Sequence, residues 1–287
     1  MRTPVLLVLV GIVSVQFGAG VAKTLFDEVS PTTIVWLRLA TSTLVLLALA
    51  RPRLAGRSRA DWTTVVGFGV ALGTMNWAIY QSFARIPLGL AVTIEFAGPL
   101  LLAVAGSRRL RDLLWVALAA TGVLLLGLGD GRLTPAGTAF ALLAGAAWAA
   151  YILLSARTGA RWEGVDGLAL ASTIATAALT PYVLTVAPEV LGDGRLLLLG
   201  ALVGLLSSVV PYTCELVALR RITPSVFGVL MSLEPAAAAL AGLLVVGERL
   251  GPREWLAIGC VVVASAGATR ATARTTADRV HEPVIPT

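Results

Sequence analysis

The chain has 287 residues, of which 57% are hydrophobic and 13% are charged, and its mean hydropathy is +0.87. Soluble domains carry about 25% charged residues, so this composition excludes a soluble globular protein and indicates an integral membrane protein. Apolar runs of about 20 residues select helices, rather than barrel strands, as the spanning elements.

Charge and rare residue types narrow the class further. The pI is about 10.1, but the arginines are scattered between apolar runs and form no basic stripe, so we expect no nucleic-acid partner. Cys214 and Cys260 lie in apolar runs and suggest no disulfide framework, and the only histidine, His281, follows the last apolar run. The sequence has neither a Gly-Lys-Ser/Thr phosphate loop nor paired aspartates at span ends. We therefore expect no cofactor, no metal and no enzyme activity.

We predict ten membrane-spanning helices joined by short connections. They lie at residues 4–26, 32–50, 62–84, 86–107, 112–129, 135–157, 165–187, 196–218, 223–246 and 254–270.

Two stretches of the chain share one pattern. Residues 85–110 and residues 221–250 each begin with Arg-Ile, carry a glutamate and a following proline within an apolar run, and end in Arg-Leu. Glu95 in the first stretch therefore corresponds to Glu234 in the second. In a very apolar protein, such a duplication is typical of transporters whose binding site lies between the repeats.

The duplication predicts two halves of five spans each, at residues 1–134 and 135–270, followed by a polar cytoplasmic tail at 271–287. Because five is an odd number, the second half enters the membrane from the opposite side. The predicted fold class is an all-α membrane protein of ten transmembrane helices, arranged as two inverted five-helix repeats.

Basic residues predict the orientation in the membrane. If the N-terminus is cytoplasmic, fifteen arginines lie on the inner side and five lie in the outer loops. Short inner loops carry the excess of basic residues in membrane proteins, so both termini are predicted to be cytoplasmic.

Glu95 and Glu234 are predicted near the middle of spans 4 and 9. A carboxyl group at that depth costs free energy and needs a reason to be there. It is suited to carrying a proton or to receiving a substrate ammonium. The alternative is that each glutamate hydrogen-bonds polar groups at a helix break, because Pro99 and Pro235 free backbone carbonyls nearby.

Spans 1 and 2 contribute further polar residues. Gln16 and Lys23 share one face of span 1, with Gly20 between them, where a ligand could approach the backbone. Lys23 lies close enough to the outer end to snorkel to the interface. Arg38 in span 2 could also snorkel, or it could pair with a carboxylate.

Aromatic and polar residues share faces of spans 3 and 6. Asn76 and Tyr80 are four residues apart on span 3, and Trp148 and Tyr151 lie together on span 6. They could form the walls of a pocket and offer an ammonium a π face, or they could serve packing and interface belts. Glu215, near the inner end of span 8, could act as a gate or make a local ion pair with the arginines that follow it.

Several strings resemble the EamA-type transporters of the drug/metabolite superfamily. The Glu-Pro string is typical of the superfamily as a whole, and the string from Gln16 to Lys23 is more selective. The matching strings lie at residues 13–26, 36–40, 75–80, 86–100 and 228–236.

The resemblance implies a ten-helix inverted-repeat fold in the bacterial inner membrane. It also implies proton-driven export of small amino acids of the threonine and homoserine kind, or of related metabolites. Trp77 departs from the family pattern, in which we expect tyrosine. Carried over by matching string, the site comprises Gln16, Lys23, Arg38, Asn76, Tyr80, Glu95, Trp148, Tyr151, Glu215 and Glu234.

The hypothesis is a secondary exporter that binds a zwitterionic amino acid near the midplane. Lys23 or Arg38 faces the carboxylate, Glu95 and the aromatics receive the ammonium, and Glu95 or Glu234 exchanges a proton. The expected partners are a small-molecule substrate, protons and the lipid bilayer. The alternatives are export of another metabolite or a cationic drug and, from another class, a membrane scaffold or a lipid scramblase.

Overall fold

The computed structural model describes residues 2–50, 52–105, 112–127, 133–219, 221–222 and 224–280. Within these residues every regular element is a helix and no strand is present. The α-helices are α1 (Arg2–Thr24), α2 (Pro31–Leu49), α3 (Arg59–Phe83), α4 (Leu88–Glu95), α5 (Ala97–Ala105), α6 (Asp112–Gly127), α7 (Pro135–Gly159), α8 (Asp166–Val186), α9 (Gly194–Gly204), α10 (Val210–Leu219), α11 (Pro224–Met231), α12 (Glu234–Ala241) and α13 (Pro252–Val280). The other helical segments are a 3-10 turn (Pro188–Gly192) and two π-helical segments (Leu205–Val209 and Gly242–Val246).

These helices follow the predicted spans in order. Span 4 is formed by α4 and α5, span 8 by α9, a π-helical segment and α10, and span 9 by α11, α12 and a π-helical segment. Five helical stretches are long and apolar enough to cross a membrane by themselves, and shorter apolar helices accompany them. The last helix continues beyond the predicted end of span 10 to Val280, so the predicted tail begins in helical structure.

Local sequence sets where the long helices begin. The side chains of Ser30 and Thr134 accept hydrogen bonds from backbone N–H groups in the first turns of α2 and α7. Pro31 and Pro135 follow them in the first turn, where a proline loses no intrahelical hydrogen bond. These caps define where α2 and α7 begin, and both helices begin at the end of the bundle where α1 ends.

Spans 4 and 9 are broken at their glutamates. Helix α4 ends at Glu95 and α5 begins after Phe96, because Pro99 has no N–H to donate to the Glu95 carbonyl. In span 9, α12 begins at Glu234 with Pro235 in its first turn. The helix breaks considered in the sequence analysis are therefore present, and each predicted span is a pair of short helices that meet at a carboxyl residue.

Helix contacts repeat when the two halves are exchanged. The packing of α3 on α7 corresponds to that of α10 on α1, α3 on α8 to α9 on α2, and α4 on α7 to α12 on α1. The pairs α2 with α8, α4 with α12, and α6 with α13 are each formed by equivalent spans. This pattern is that of inverted repeats around a pseudo-twofold axis. The division at residues 134 and 135 stays a prediction.

Glycine permits a close backbone approach where α5 crosses α7. A Cβ atom at Gly98 would overlap the carbonyl group of Gly145, and a Cβ at Gly145 would lie 2.5 Å from the Glu95 carbonyl oxygen. The two helices touch through backbone atoms at this point, beside the break in span 4. Close crossings of this kind are typical of membrane helices, whose association depends on packing.

We expect Gly98→Ala to destabilise the protein by about 3 kcal/mol, because the extra methyl group meets backbone that has no side chain to move aside. The melting temperature of the purified protein in detergent should fall. Gly259→Ala is the matched control, since a Cβ at Gly259 meets no atom within 4 Å. Equal melting temperatures for the two variants would contradict this account of the crossing.

Candidate functional site

A cavity of about 410 Å³ lies between the two halves, beside the broken helices. Its volume falls in the usual range of small-molecule sites, about 300–1,000 Å³. Most of its wall is apolar or aromatic, with a few polar groups. Eight residues proposed from the sequence lie on this wall: Gln16, Arg38, Asn76, Tyr80, Glu95, Trp148, Tyr151 and Glu234.

The wall carries charges of both signs. Glu95 and Glu234 are each 8% exposed, and Arg38 is half-buried. Arg38 lies close enough to Glu95 for their charges to interact. Within the described residues, however, no salt bridge of 4.0 Å or less joins the two side chains. A ligand that carries both charges can therefore meet a partner of each sign in one cavity.

Arg38 is held by the second half of the chain. Its Nη2 donates to the backbone carbonyl of Ser207 at 2.9 Å, and its Nε donates to Ser208 Oγ at 3.5 Å. Its guanidinium carbon lies 5.6 Å from the centre of the Tyr80 ring. The sequence indicates snorkelling or a carboxylate partner for Arg38. The two serines were not predicted as its partners, because a serine in an apolar helix gives little signal.

Two amides add neutral polar groups to the wall. Asn76 is 3% exposed and donates from Nδ2 to the carbonyl of Leu72 at 2.9 Å. Gln16 is 5% exposed and makes no hydrogen bond within the part of the chain that the structure describes. Because buried amides are normally paired, Gln16 has hydrogen-bonding capacity for a ligand or water.

The aromatic residues of the wall pack on one another. Trp148 meets Phe96 at 5.0 Å between ring centres and at an angle of 87°, and Tyr151 meets Phe68 at 5.1 Å. These contacts fix the rings in place, as edge-to-face and tilted pairs do in protein cores. The sequence left open whether these aromatic residues form a pocket wall or serve packing. In the structure the rings of Trp148 and Tyr151 do both.

Two buried hydroxyl groups near Arg38 have no hydrogen-bond partner in the described structure. They are Tyr80 Oη and Ser207 Oγ, on side chains that are 1% and 2% exposed. Both residues line the cavity. Leaving a buried hydroxyl unpaired costs about 1–3 kcal/mol, so this part of the wall is poised to form further hydrogen bonds.

Lys23 does not line the cavity. Its Nζ lies 2.6 Å from Glu248 Oε1 and donates to the carbonyl of Ile86 at 2.7 Å. Glu248 Oε2 also accepts from the backbone N–H of Leu88 at 2.8 Å, at the start of α4. Both charged side chains are 15% exposed. Lys23 is thus engaged in a network that joins α1, the start of α4 and the chain after span 9.

Glu248 stands near the end of the repeated stretch 221–250, and this position was a partial signal for it in the sequence. Gly247 precedes it with a left-handed φ of 79°, where glycine is favoured, and turns the chain so that Glu248 N donates to the Gly242 carbonyl at 2.9 Å. The role suggested for Gly20 changes as well. A Cβ at Gly20 would lie 3.1 Å from Val245, so this glycine packs against the π-helical segment.

The network around Lys23 belongs to a closed end of the bundle, which we call the Lys23 end. Phe26, Tyr80 and Phe83 pack there with ring centres 6.1 and 5.4 Å apart. On the surface, Arg195 makes two hydrogen bonds to Glu28, and these bonds lower the pKa of the Glu28 carboxyl. Tyr80 and Phe83 line the cavity on this side, next to the Lys23 network, whereas the Arg195–Glu28 pair lies at the surface.

The cavity extends towards the opposite end, which we call the Arg2 end because α1 begins there. Ile152, Phe227 and Thr269 line this part, on α7, α11 and α13. Ile152 is 37% exposed, in contrast to the buried Tyr80 and Phe83 at the other side. The residues that line the cavity are therefore less buried at the Arg2 end than at the Lys23 end.

One proposed residue falls outside the described side chains. Glu215 lies in α10, but its side chain is not part of the described structure, so its role as a gate stays a prediction. The described residues contain no group of three or more His, Cys, Asp or Glu side chains placed to hold a metal ion.

Comparison with known proteins identifies relatives over nearly the whole chain. The EamA-like transporter family matches residues 135–270. The threonine/homoserine exporter RhtA of Escherichia coli K12 is 41% identical over 269 residues, which cover 93% of this chain and 91% of that protein. The protein of the same name in Salmonella typhimurium LT2 is 40% identical with the same coverage. The resemblance seen in the sequence strings is confirmed.

A solved structure shares the fold. The crystal structure of another protein aligns with a TM-score of 0.63 at 18% identity, covering 96% of this chain and 99% of its own. At that identity the likeness concerns the fold alone.

Proposed function

Because this chain belongs to the EamA-like transporter family, we propose that it exports small amino acids of the threonine and homoserine kind across the bacterial inner membrane. The observation that carries the proposal is that Arg38 and Glu95 lie on the same cavity wall and form no salt bridge with each other in the described structure. The named relatives supply the substrate class, and the cavity supplies the chemistry.

A zwitterion fits this wall. In a site shielded from water, an isolated charge is costly, so a ligand with a carboxylate and an ammonium needs a partner for each. The guanidinium of Arg38 suits the carboxylate, since its planar donors match two carboxylate oxygens. Glu95, with the faces of Trp148 and Tyr151 nearby, suits the ammonium. A lipophilic cation would leave Arg38 without an anionic partner.

The orientation follows from the excess of basic residues at the Arg2 end. With both termini cytoplasmic, the Arg2 end faces the cell interior and the Lys23 end faces outwards. The cavity, whose lining residues are less buried at the Arg2 end, then corresponds to the state that loads substrate from the cytoplasm. The inverted repeats provide the second arrangement, in which the Lys23 end opens and the Arg2 end closes.

Proton coupling is assigned to the two buried glutamates. Glu95 and Glu234 occupy equivalent positions at the breaks of spans 4 and 9, and both line the cavity. A carboxyl group that exchanges a proton when the cavity changes sides would link export to the proton gradient. Lys23, which is paired with Glu248, is better suited to holding the outer side closed than to binding the substrate carboxylate.

The first experiment is a growth test. Cells that express the protein should resist inhibitory concentrations of threonine, homoserine and their toxic analogues, and should release labelled threonine at least about 10-fold faster than empty-vector cells. A protonophore should abolish this release. Resistance to cationic drugs without any effect on amino acids, with the protein present in the membrane, would refute the proposed cargo and favour the alternative exporter.

A further inference from the structure

Span 8 contains a proline at the cavity whose missing N–H leaves one backbone carbonyl without its helical donor. Pro211 follows the π-helical segment Leu205–Val209 and lines the cavity. A residue with an N–H at this position would donate to the carbonyl of Ser207 in an α-helix, or to that of Leu206 in a π-helix. Proline can donate to neither.

Both of these carbonyls accept hydrogen bonds from side chains of the first half of the chain. Ser14 Oγ on α1 donates to the carbonyl of Leu206 at 2.7 Å, and Arg38 Nη2 on α2 donates to the carbonyl of Ser207 at 2.9 Å. The second bond is charge-assisted and lies in a partly buried setting, where such bonds are strongest. It holds the guanidinium against span 8.

Neighbouring contacts restrict the guanidinium further. Ser208 Oγ accepts from Nε at 3.5 Å, and the Tyr80 ring lies 5.6 Å from the guanidinium carbon. Gly204 lets α2 approach, because a Cβ there would lie 3.0 Å from the Arg38 carbonyl oxygen. Nη1 makes no hydrogen bond to any residue in the described part of the chain. The anchored guanidinium therefore keeps a donor for a ligand.

We infer that Pro211 is a positioning residue for substrate selection: by freeing the Ser207 carbonyl, it orients Arg38 to receive the carboxylate of the transported amino acid. The inference rests on the proposed function and adds a specificity determinant to it. It also gives the two repeats a shared part in recognition, since the cation comes from span 2 and its anchor from span 8.

The test is Pro211→Ala, which supplies an N–H that competes with Arg38 for the carbonyl. Purified protein in proteoliposomes exchanges labelled L-threonine, and unlabelled L-threonine or L-threonine amide is added as competitor. Wild type should prefer the carboxylate over the amide by about 100-fold, and Pro211→Ala should reduce this ratio to about 10-fold or less. Arg38→Lys should reduce it similarly, and the double variant should be no worse than Arg38→Lys.

Two control variants separate positioning from general damage to the helix. Pro181→Ala restores an N–H inside α8, away from the cavity wall, and Ser14→Ala removes the other carbonyl contact without touching Arg38. Both should keep the wild-type ratio. A Pro211→Ala protein that loses affinity for both competitors equally, or for neither, would overturn the inference and leave the proposed function standing. Wild-type liposomes that exchange no amino acid would overturn both.

Discussion

Glu95→Gln is expected to slow export of threonine against its gradient by about 100-fold, while the protein still accumulates in the membrane. The glutamine keeps the size of the side chain at the break between α4 and α5 but can neither carry a proton nor pair with an ammonium. A hydrogen bond to a charged group is worth about 1.5–3 kcal/mol, which corresponds to about 10- to 150-fold in affinity. The measurement is efflux of labelled threonine from preloaded cells.

A second assay separates the two roles of this carboxyl group. Exchange of labelled for unlabelled threonine across a liposome membrane requires substrate binding but no net proton movement. If Glu95 chiefly carries the proton, Glu95→Gln should retain exchange and lose uphill efflux; if it chiefly binds the ammonium, both should be lost. Glu189→Gln is the control, because Glu189 is exposed in the turn after α8. Normal uphill efflux by Glu95→Gln would remove this residue from the proposed site.

The sequence was most informative where each residue could be judged by its own depth in the membrane. Glu95 and Glu234 stood out because a carboxyl group in the middle of an apolar run has few explanations. The repeat of their surroundings then gave the inverted architecture, and the prolines that follow them indicated the breaks that the structure contains. The glutamates and the helix breaks could be predicted from local sequence pattern, and the inverted arrangement from the odd number of spans in each half.

The sequence was least informative where a residue depends on a distant partner. The sequence predicts Lys23 or Arg38 as the partner of the substrate carboxylate, and it does not indicate the pairing of Lys23 with Glu248. Glu248 lies in the other half of the chain and meets Lys23 only after both repeats are assembled. The anchor of Arg38 was missed for a similar reason. A backbone carbonyl that accepts from a distant side chain cannot be recognised from its own residue type, and Ser207 is an ordinary small residue in an apolar span.

Lys23→Met should weaken closure of the Lys23 end and shift the protein towards the outward-open state. The variant leaves Glu248 beside the start of α4 without its cation, in a partly buried place where losing one partner is costly. Because both side chains are 15% exposed, solvent screening reduces this cost. We expect the ratio of outward-open to closed protein to rise by about 10-fold. Ala19, on the cavity wall near Lys23, serves as the reporter once it is replaced by cysteine in a protein whose two native cysteines have been removed.

A membrane-impermeant maleimide added outside the cell should label this cysteine about 10-fold faster in Lys23→Met than in the parent. Arg195→Met is the matched control, because it breaks the Glu28 pair, which is exposed at the same end. The variant also distinguishes closure from substrate binding. If Lys23 holds the end closed, Lys23→Met keeps the preference for threonine over threonine amide. If Lys23 instead binds the carboxylate, that preference is lost while labelling stays unchanged, and Arg38 could no longer be the sole cation for the substrate.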